Sequence, residues 1–510
     1  MNILVVMADQ LAPHFTGTYG HPVVQTPNLD ALAERGRRFD AAYCHSPLCA
    51  PSRFTFLSGQ PVAAIGAWDN ASEFPAAVPT MAHYFRAMNY RTTLSGKMHF
   101  VGPDQLHGFE ERLTTDIYPA DFAWVPDWDN PDERIHKWYH NMTSLSEAGQ
   151  AAWTYQIEFD EAVGTEASRH LYDMARDRAA GVDERPFFMV ASFMHPHDPF
   201  VARPEWWNRY DAADIDMPTR WNLEELDAQS HRVRRGIEAD VTPHNDDHIR
   251  NARHGYYANT TYVDDWLGRL INVLDETDQL DNTLVIFTSD HGDMLGEREQ
   301  WFKMSFFERS ARVPLVMAGP GVASGIGEEV CSHLDVLPTL LDAACDAGAT
   351  RPTIGATLTG RSLWESAAGG TASAGETTGE YCGEMTGNPM FMIRRGALKY
   401  IHCDGDPPLL YDVVVDPEER ANLAADPAYG SEAAAFSAEV EQRWDSAAIR
   451  ERVVASQHAR RAVYDAMSVG PRHSWDHEPR QDVGNKYVRN HMDWAEAGER
   501  LRYPRFEPES

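Results

Sequence analysis

Ile3-Leu4-Val5-Val6-Met7 runs from Met1-Asn2 into Asp9-Gln10, and far along the chain Leu284 to Thr288 runs into Asp290-His291-Gly292. Short apolar runs closed by polar turn residues read as buried strands. Thr92 to Ser95, followed by Lys97 and His99, repeats the pattern. So does Phe187 to Phe193, bounded by Pro186 and Pro196 and followed by His195 and His197. Val313 to Met317 reads as one more strand. Leu29, Leu32 and Ala33 share one face of a helix over 28–38, and Val263, Leu267, Leu270, Ile271 and Leu274 fall at helical spacing. Strands alternating with helices predict an α/β fold, a large and mostly parallel sheet flanked by helices.

The length of 510 residues allows two to four domains. A composition of 43% hydrophobic and 24% charged residues excludes wholesale disorder. No apolar run approaches the roughly 20 residues of a membrane helix. The net charge of −32 argues against nucleic acid or an anionic membrane as partner. The N-terminal run has no basic flank and no small-residue cleavage site, so it reads as a strand and not a secretion signal. The six cysteines form no CxxC pair, which fits reduced thiols in the cytoplasm. Small polar residues at 366–379 suggest a linker, dividing a catalytic domain (1–365) from a smaller C-terminal α+β domain (366–465). The latter holds a hairpin of Phe391 to Arg395 and Leu398 to His402 turned at Gly396, then a helix over 431–446. The extended tail (466–510) carries Trp475, Tyr487, Trp494, Tyr503 and Phe506, too many aromatics for a solvated arm, and is expected to pack on a neighbouring subunit.

Ligands in open α/β sheets bind outside the carboxyl ends of the strands, where the titratable residues gather here. Asp9, Gln10, Asp290 and His291 offer oxygens and one imidazole, a donor set for one divalent ion: Ca²⁺ or Mg²⁺ by its oxygens, Mn²⁺ by its nitrogen. Cys44-His45-Ser46-Pro47-Leu48-Cys49-Ala50-Pro51-Ser52-Arg53 is the sharpest signal. Pro51 suits the first turn of a helix, which puts Cys49 at a helix N-terminus, where the dipole favours anions.

Cys49-Ala50-Pro51-Ser52-Arg53, continuing to Leu57-Ser58-Gly59, resembles the signature of the formylglycine-dependent sulfatases, of alkaline phosphatase-like fold. Asp9-Gln10, Gly96-Lys97-Met98-His99, Pro196-His197-Asp198-Pro199, Asp290-His291-Gly292 and Lys303 agree with it. Most sulfatases carry two acids at the place of Asp9-Gln10 and Asn at that of His291. The Gln and His variant resembles the choline sulfatases and their relatives, the phosphonate monoester hydrolases. Ser95 to Phe100, Gly102 to Phe109, Asp116 to Phe122 and Asn490-His491-Met492-Asp493 look like the former.

The resemblance implies a cysteine converted to formylglycine by a sulfatase-maturing enzyme, its hydrate attacking the sulfur of choline-O-sulfate. A phosphonate monoester or phosphodiester hydrolase on the same scaffold is the rival reading. It further implies Asp9, Gln10, Cys49, Asp290 and His291 around one Ca²⁺ or Mn²⁺. Arg53 would hold the nucleophile, Lys97 and Lys303 grip sulfate oxygens, and His99 orient or deprotonate the diol. His197 would protonate the leaving oxygen, with His195 as a possible sharer of that place. Of Tyr118, Phe122, Trp124, Trp128, Trp138, Tyr139 and His140, Trp124 and His140 are implied at the choline end. An acid from Glu380 or Glu384, on one face of a strand, and Asp493 from a neighbouring subunit would join them, in a homodimer or homotetramer built through the tail.

Overall fold

All seven residues of β1 (Asn2–Ala8) are buried, which requires cover on both faces of the sheet. The computed structural model describes residues 1–135, 140–371 and 374–470. Around β1 run β2 (Arg37–Tyr43), β3 (Arg91–Gly96), β4 (Glu111–Arg112), a detached pair of β5 (Gly149–Gln150) with β7 (Val201–Ala202), β6 (Phe187–Ser192), β8 (Thr283–Ser289), β9 (Leu315–Ala318) and β10 (Gly325–Ser332). Eight of these form one sheet in the order β10-β2-β9-β8-β1-β6-β3-β4. β1 is parallel to β6 and β8. Only β9 runs against its neighbours β2 and β8, so the sheet is largely parallel. Helices α1 (Pro27–Arg35), α2 (Cys49–Ser58), α3 (Tyr155–Ala179), α4 (Asp246–Glu276) and α5 (Val336–Asp346) flank it.

The helix expected over 28–38 stops at Arg35. Gly36 leaves the helix in an extended conformation, and a Cβ there would lie 2.2 Å from the Met317 carbonyl, so only glycine fits where Arg37–Tyr43 begins, a strand without an apolar run. The expected linker at 366–379 is shorter than its composition suggests, because β11 (Glu376–Tyr381) begins inside it. β11, β12 (Met390–Arg395), β13 (Leu398–Cys403) and β14 (Leu409–Asp412) form an antiparallel sheet, and the hairpin turns at Gly396, φ +55°. The helix expected over 431–446 is α6 (Gly430–Arg443), and a further, unexpected helix, α7 (Ser446–Met467), follows it.

Phe391, Ile393, Tyr400, Leu410, Phe436, Val440, Ile449 and Val453 form the core of this second unit, which Val62, Trp68 and Trp128 of the first unit join. Buried Lys399 of β13 ties the two together, with Nζ 2.8 Å from Glu308 and 2.6 Å from Glu419. Among the described residues no helix is long and apolar enough to cross a membrane. Asp493, the five tail aromatics, Trp138 and Tyr139 lie outside the described residues.

Gly96 ends β3 at φ +101°, and an added Cβ would lie 2.0 Å from the Ser192 carbonyl of β6. Gly96→Ala is expected to destabilise the fold by about 2–4 kcal/mol, an overpacking cost plus the left-handed penalty. Urea unfolding measures this; an unchanged midpoint would contradict the close β3–β6 approach.

Candidate active site

Register places the reactive groups. Ala8 of β1 pairs with Ser289 of β8, so Asp9 and Asp290 leave adjacent strands at one level. Gly96 of β3 pairs with Ser192 of β6, which brings Lys97 and His99 beside the segment carrying His197. Helix α2 begins at Cys49, and its Ala50 N–H donates to Asn70 Oδ1 at 3.0 Å. Gln10 (φ 65°), His99 (φ 60°), Phe302 (φ 67°) and Met304 (φ 75°) hold left-handed backbone beside or within the site. Such strain persists only where surrounding packing enforces it.

Arg53 is fully buried and spans both carboxylates, with Nη2 2.7 Å from Asp9 Oδ2 and Nε 2.9 Å from Asp290 Oδ2. Its Nη1 donates to the Lys97 carbonyl at 2.7 Å and Ser192 Oγ at 2.8 Å. Lys97 Nζ lies 2.5 Å from Asp9 Oδ2 and 4.2 Å from the centre of the Tyr118 ring. Burial alone would raise the Asp9 carboxyl, but Lys97, His197 and Arg53 hold it well below the usual range. Gln10 and His291 donate their backbone N–H groups to Asp290 Oδ1, each at 2.9 Å.

Cys49 Sγ lies 3.2 Å from His291 Nε2. Ligand atoms of Asp9, Cys49, Asp290 and His291 all fall within 4.8 Å of one another, every residue buried. Asp9 Oδ1 is buried without a hydrogen-bond partner. Burial pushes His291 down to about 4, leaving its imidazole neutral and able to ligate. Two carboxylates, a neutral imidazole and an unpartnered buried oxygen fit a divalent cation. Gln10 stands at the edge of this cluster, its Oε1 accepting from Lys303 Nζ and its Nε2 donating to Asp293 at 2.7 Å. His99 interacts with Cys49, and burial lowers its pKa.

On the far side Lys303 Nζ lies 3.1 Å from His197 Nε2, which is 3.2 Å from the Tyr118 hydroxyl. Burial and then Lys303 depress His197 well below its ordinary value. His140 packs at a tilt against His197, ring centres 5.0 Å apart. Trp124 meets His99 edge-on at 5.9 Å and Tyr118 at 5.0 Å. The site therefore gathers Cys49, Arg53, Lys97, His99, His197, Lys303, Trp124 and His140 around the cation cluster.

His195 is placed otherwise: its Nδ1 lies 2.6 Å from Asp160 and its ring packs on Tyr262. Glu380 and Glu384 do not share a strand face, since β11 ends at Tyr381. Glu380 is consumed by the Ala63 N–H at 2.7 Å, the Trp444 indole at 2.7 Å and His45 at 3.6 Å. Both carboxylate oxygens of Glu384 are buried without a hydrogen-bond partner, in the field of Cys49 and Lys303.

The Sulfatase family profile matches residues 1–347, and that of the choline sulfatase enzyme C terminal matches residues 451–503. The chain is 43% identical over 511 aligned positions, 99% of both chains, to a choline-sulfatase of Rhizobium meliloti. The chain belongs to the choline-sulfatase family of sulfatases. It is 29% identical to a multifunctional alkaline phosphatase superfamily protein of Trinickia caryophylli, covering 84% of this chain and 92% of that one. A phosphonate monoester hydrolase structure from Agrobacterium radiobacter shares the fold, with TM-score 0.67, 23% identity and coverage of 89% and 96%.

Three carboxylates at the site of this sulfatase had no expected role, two of them, Asp116 and Asp198, inside quoted motifs. Asp293 accepts from Gln10, Leu295 N–H and Phe302 N–H, and burial lifts it to about 7. Asp116 accepts from the Met98 and His99 N–H groups at 3.0 and 2.8 Å. Asp198 Oδ1 lies 3.0 Å from His197 Nδ1 and 3.2 Å from His140 Nδ1, while Oδ2 accepts from Ser144 Oγ. A carboxylate next to a histidine was the available signal; its service to two rings was not. Asp198→Asn is expected to lower kcat/KM for an alkyl sulfate about 10–100-fold, the usual cost of losing a partner that orients a site residue. Steady-state kinetics with an alkyl and a nitrophenyl sulfate check it. The nitrophenyl ester, whose leaving group needs less protonation, should lose less.

Proposed function

We propose that the chain hydrolyses choline-O-sulfate to choline and inorganic sulfate. The observation that carries this reading is the buried Glu384 carboxyl, both oxygens without a hydrogen-bond partner, in the field of Asp69, Cys49 and Lys303; Trp124, against His99, supplies an aromatic face at the same site. A quaternary ammonium donates no hydrogen bond, and a carboxylate with aromatic faces suits it. The full-length relative named choline-sulfatase supports the same substrate.

Asp9, Gln10, Asp290 and His291, with residue 49, would hold the ion, Ca²⁺ by the oxygen majority or Mn²⁺ by the imidazole. Such an ion supplies Lewis acidity beside residue 49, where formylglycine hydrate offers an oxygen nucleophile. Cys49 through Arg53 are buried in a helix, so a maturing enzyme that reads this motif acts before the chain closes over it. Arg53 fixes Asp9 against Asp290 and helps keep the Asp9 carboxyl ionised. Lys97 and Lys303 neutralise the sulfate oxygens, needed in a chain of charge −32. His99 orients or deprotonates the nucleophile. His197, aligned by Asp198 and facing the Lys303 ammonium, relays a proton to the leaving oxygen. Trp124, His140 and Glu384 receive the ammonium end, and Asp493 of a neighbouring subunit completes that pocket in a homo-oligomer joined through the tail.

Cys49→Ala should abolish turnover with the fold intact, and intact mass of active enzyme should fall about 18 Da below the thiol form. Full activity in a preparation carrying only the free thiol would refute the nucleophile. Comparing kcat/KM for choline sulfate, an aryl sulfate and a phosphonate monoester separates the sulfatase reading from the diester hydrolase one.

Burial, then Asp69, raises Glu384 from its ordinary 4.5 to about 8. The free enzyme therefore keeps this proton between pH 4.5 and about 8, whereas a bound ammonium favours its loss. KM for choline sulfate should fall as pH rises from 6 towards 8, with no matching fall for an aryl sulfate. Glu384→Gln should remove the difference. The same shift makes the Glu384 contribution to stability fullest below pH 4.5 and lost through about pH 8. The Gln variant should thus gain melting temperature relative to the parent as pH rises through that window.

A further inference from the structure

Residues 113–135, which carry Trp124, contain neither helix nor strand. Short turn bonds at Phe122–Val125 and packing on Ala71, Val101 and His99 hold the indole locally, and the rest of the loop is placed by what it is bound to. Much of that support comes from α7. Gln457 Oε1 accepts the Trp128 N–H at 3.0 Å. Arg461 Nη1 donates to Asp127 Oδ2 at 2.6 Å and Nη2 to the Pro126 carbonyl. Tyr464 packs on the cluster that includes Phe122 and Trp124. Trp128 then passes the connection on, its indole N–H donating to the Gly383 carbonyl at 2.9 Å, one residue before Glu384.

The same face of α7 reaches the nucleophile. Arg460 grips both oxygens of fully buried Asp69, at 2.5 and 2.8 Å. The next residue, Asn70, accepts the Ala50 N–H at the start of α2. Positions 457, 460, 461 and 464 follow i, i+3, i+4, i+7 spacing, one stripe of one helix. A helix that merely covered a core would bury an apolar stripe there. This one presents an amide, two guanidiniums and a phenol, to Trp128, to Asp69, to Pro126–Asp127 and to the Phe122–Trp124 cluster.

We propose that this stripe of α7 is a specificity clamp. Gln457 and Arg461 are positioning residues that set Trp124 and Glu384 at the separation a quaternary ammonium requires, while Arg460 holds the nucleophile helix to the same scaffold. The proposal rests on the choline sulfate reading and adds the element that enforces it. A cation–aromatic contact weakens quickly beyond about 6 Å from the ring centre, so loosening the loop penalises the cationic substrate selectively. Lys97 and Lys303 are anchored by Asp9 and Gln10 after β1, which α7 does not hold.

The test is the Gln457→Ala/Arg461→Ala double variant, neither residue touching substrate. KM for choline sulfate is expected to rise at least about tenfold, with kcat for choline sulfate and both constants for 4-nitrophenyl sulfate within about twofold of the parent. Gln457→Glu, which keeps the acceptor for Trp128, should restore most of the KM when paired with wild-type Arg461. Equal KM changes for both substrates, or none, would overturn the clamp. Should the double variant fail to fold, Arg461→Ala alone carries the measurement, its side chain being 31% exposed. A parent that shows no preference for choline sulfate over the aryl ester instead defeats the substrate reading, and the clamp with it. A parent preference that survives in the variant defeats the clamp alone.

Discussion

Arg53 joins Asp9 to Asp290 in a space without solvent, and the architecture of the site follows from that one guanidinium. Two carboxylates at the ends of adjacent parallel strands repel each other, and burial strengthens the repulsion. A planar cation with several fixed donors can hold both and still donate to the Lys97 carbonyl and Ser192. A lysine, with a single charged nitrogen, could not reproduce that fork. Removing either partner would strand a buried charge, which costs about 3–5 kcal/mol. The arrangement thus commits the crevice to an array of opposite charges.

That array resolves a conflict set by composition. A chain with 77 acidic and 45 basic residues disfavours the sulfate end of a zwitterionic ester near its surface. Lysine is scarce, five in all, yet Lys97 and Lys303 are buried on either side of the crevice. Lys303 is kept protonated despite burial by Cys49, Asp9, Asp198 and Asp290. The local field is the reverse of the global one, and only where the sulfate group must sit. A dipolar substrate with its positive end towards Glu384 suits both fields.

Glu384 and His195 show what fold decides about residues of equal chemical promise. Glu380 and Glu384 are the same side chain four positions apart. One is spent on a backbone amide, an indole and a histidine, and the other is left free because β11 ends between them. His195 and His197 flank one proline; Asp160 of α3 takes the first, and Lys303 and Tyr118 face the second.

The sequence alone determined the fold class, through its apolar runs, and the chemistry, through Cys49-Ala50-Pro51-Ser52-Arg53 and the polar residues after each strand. Those signals are local, so a linear reading reaches them. It missed β2, because Arg37–Tyr43 becomes a strand only through pairing with β9 and β10. It missed α7, because that helix buries Ile449, Val453, Gln457 and Arg460, a face half polar and invisible to an apolar-period search. The double service of Asp198 and the freedom of Glu384 were likewise out of reach. Tertiary structure alone decided these, since a buried polar group takes its role from partners that folding brings from distant parts of the chain.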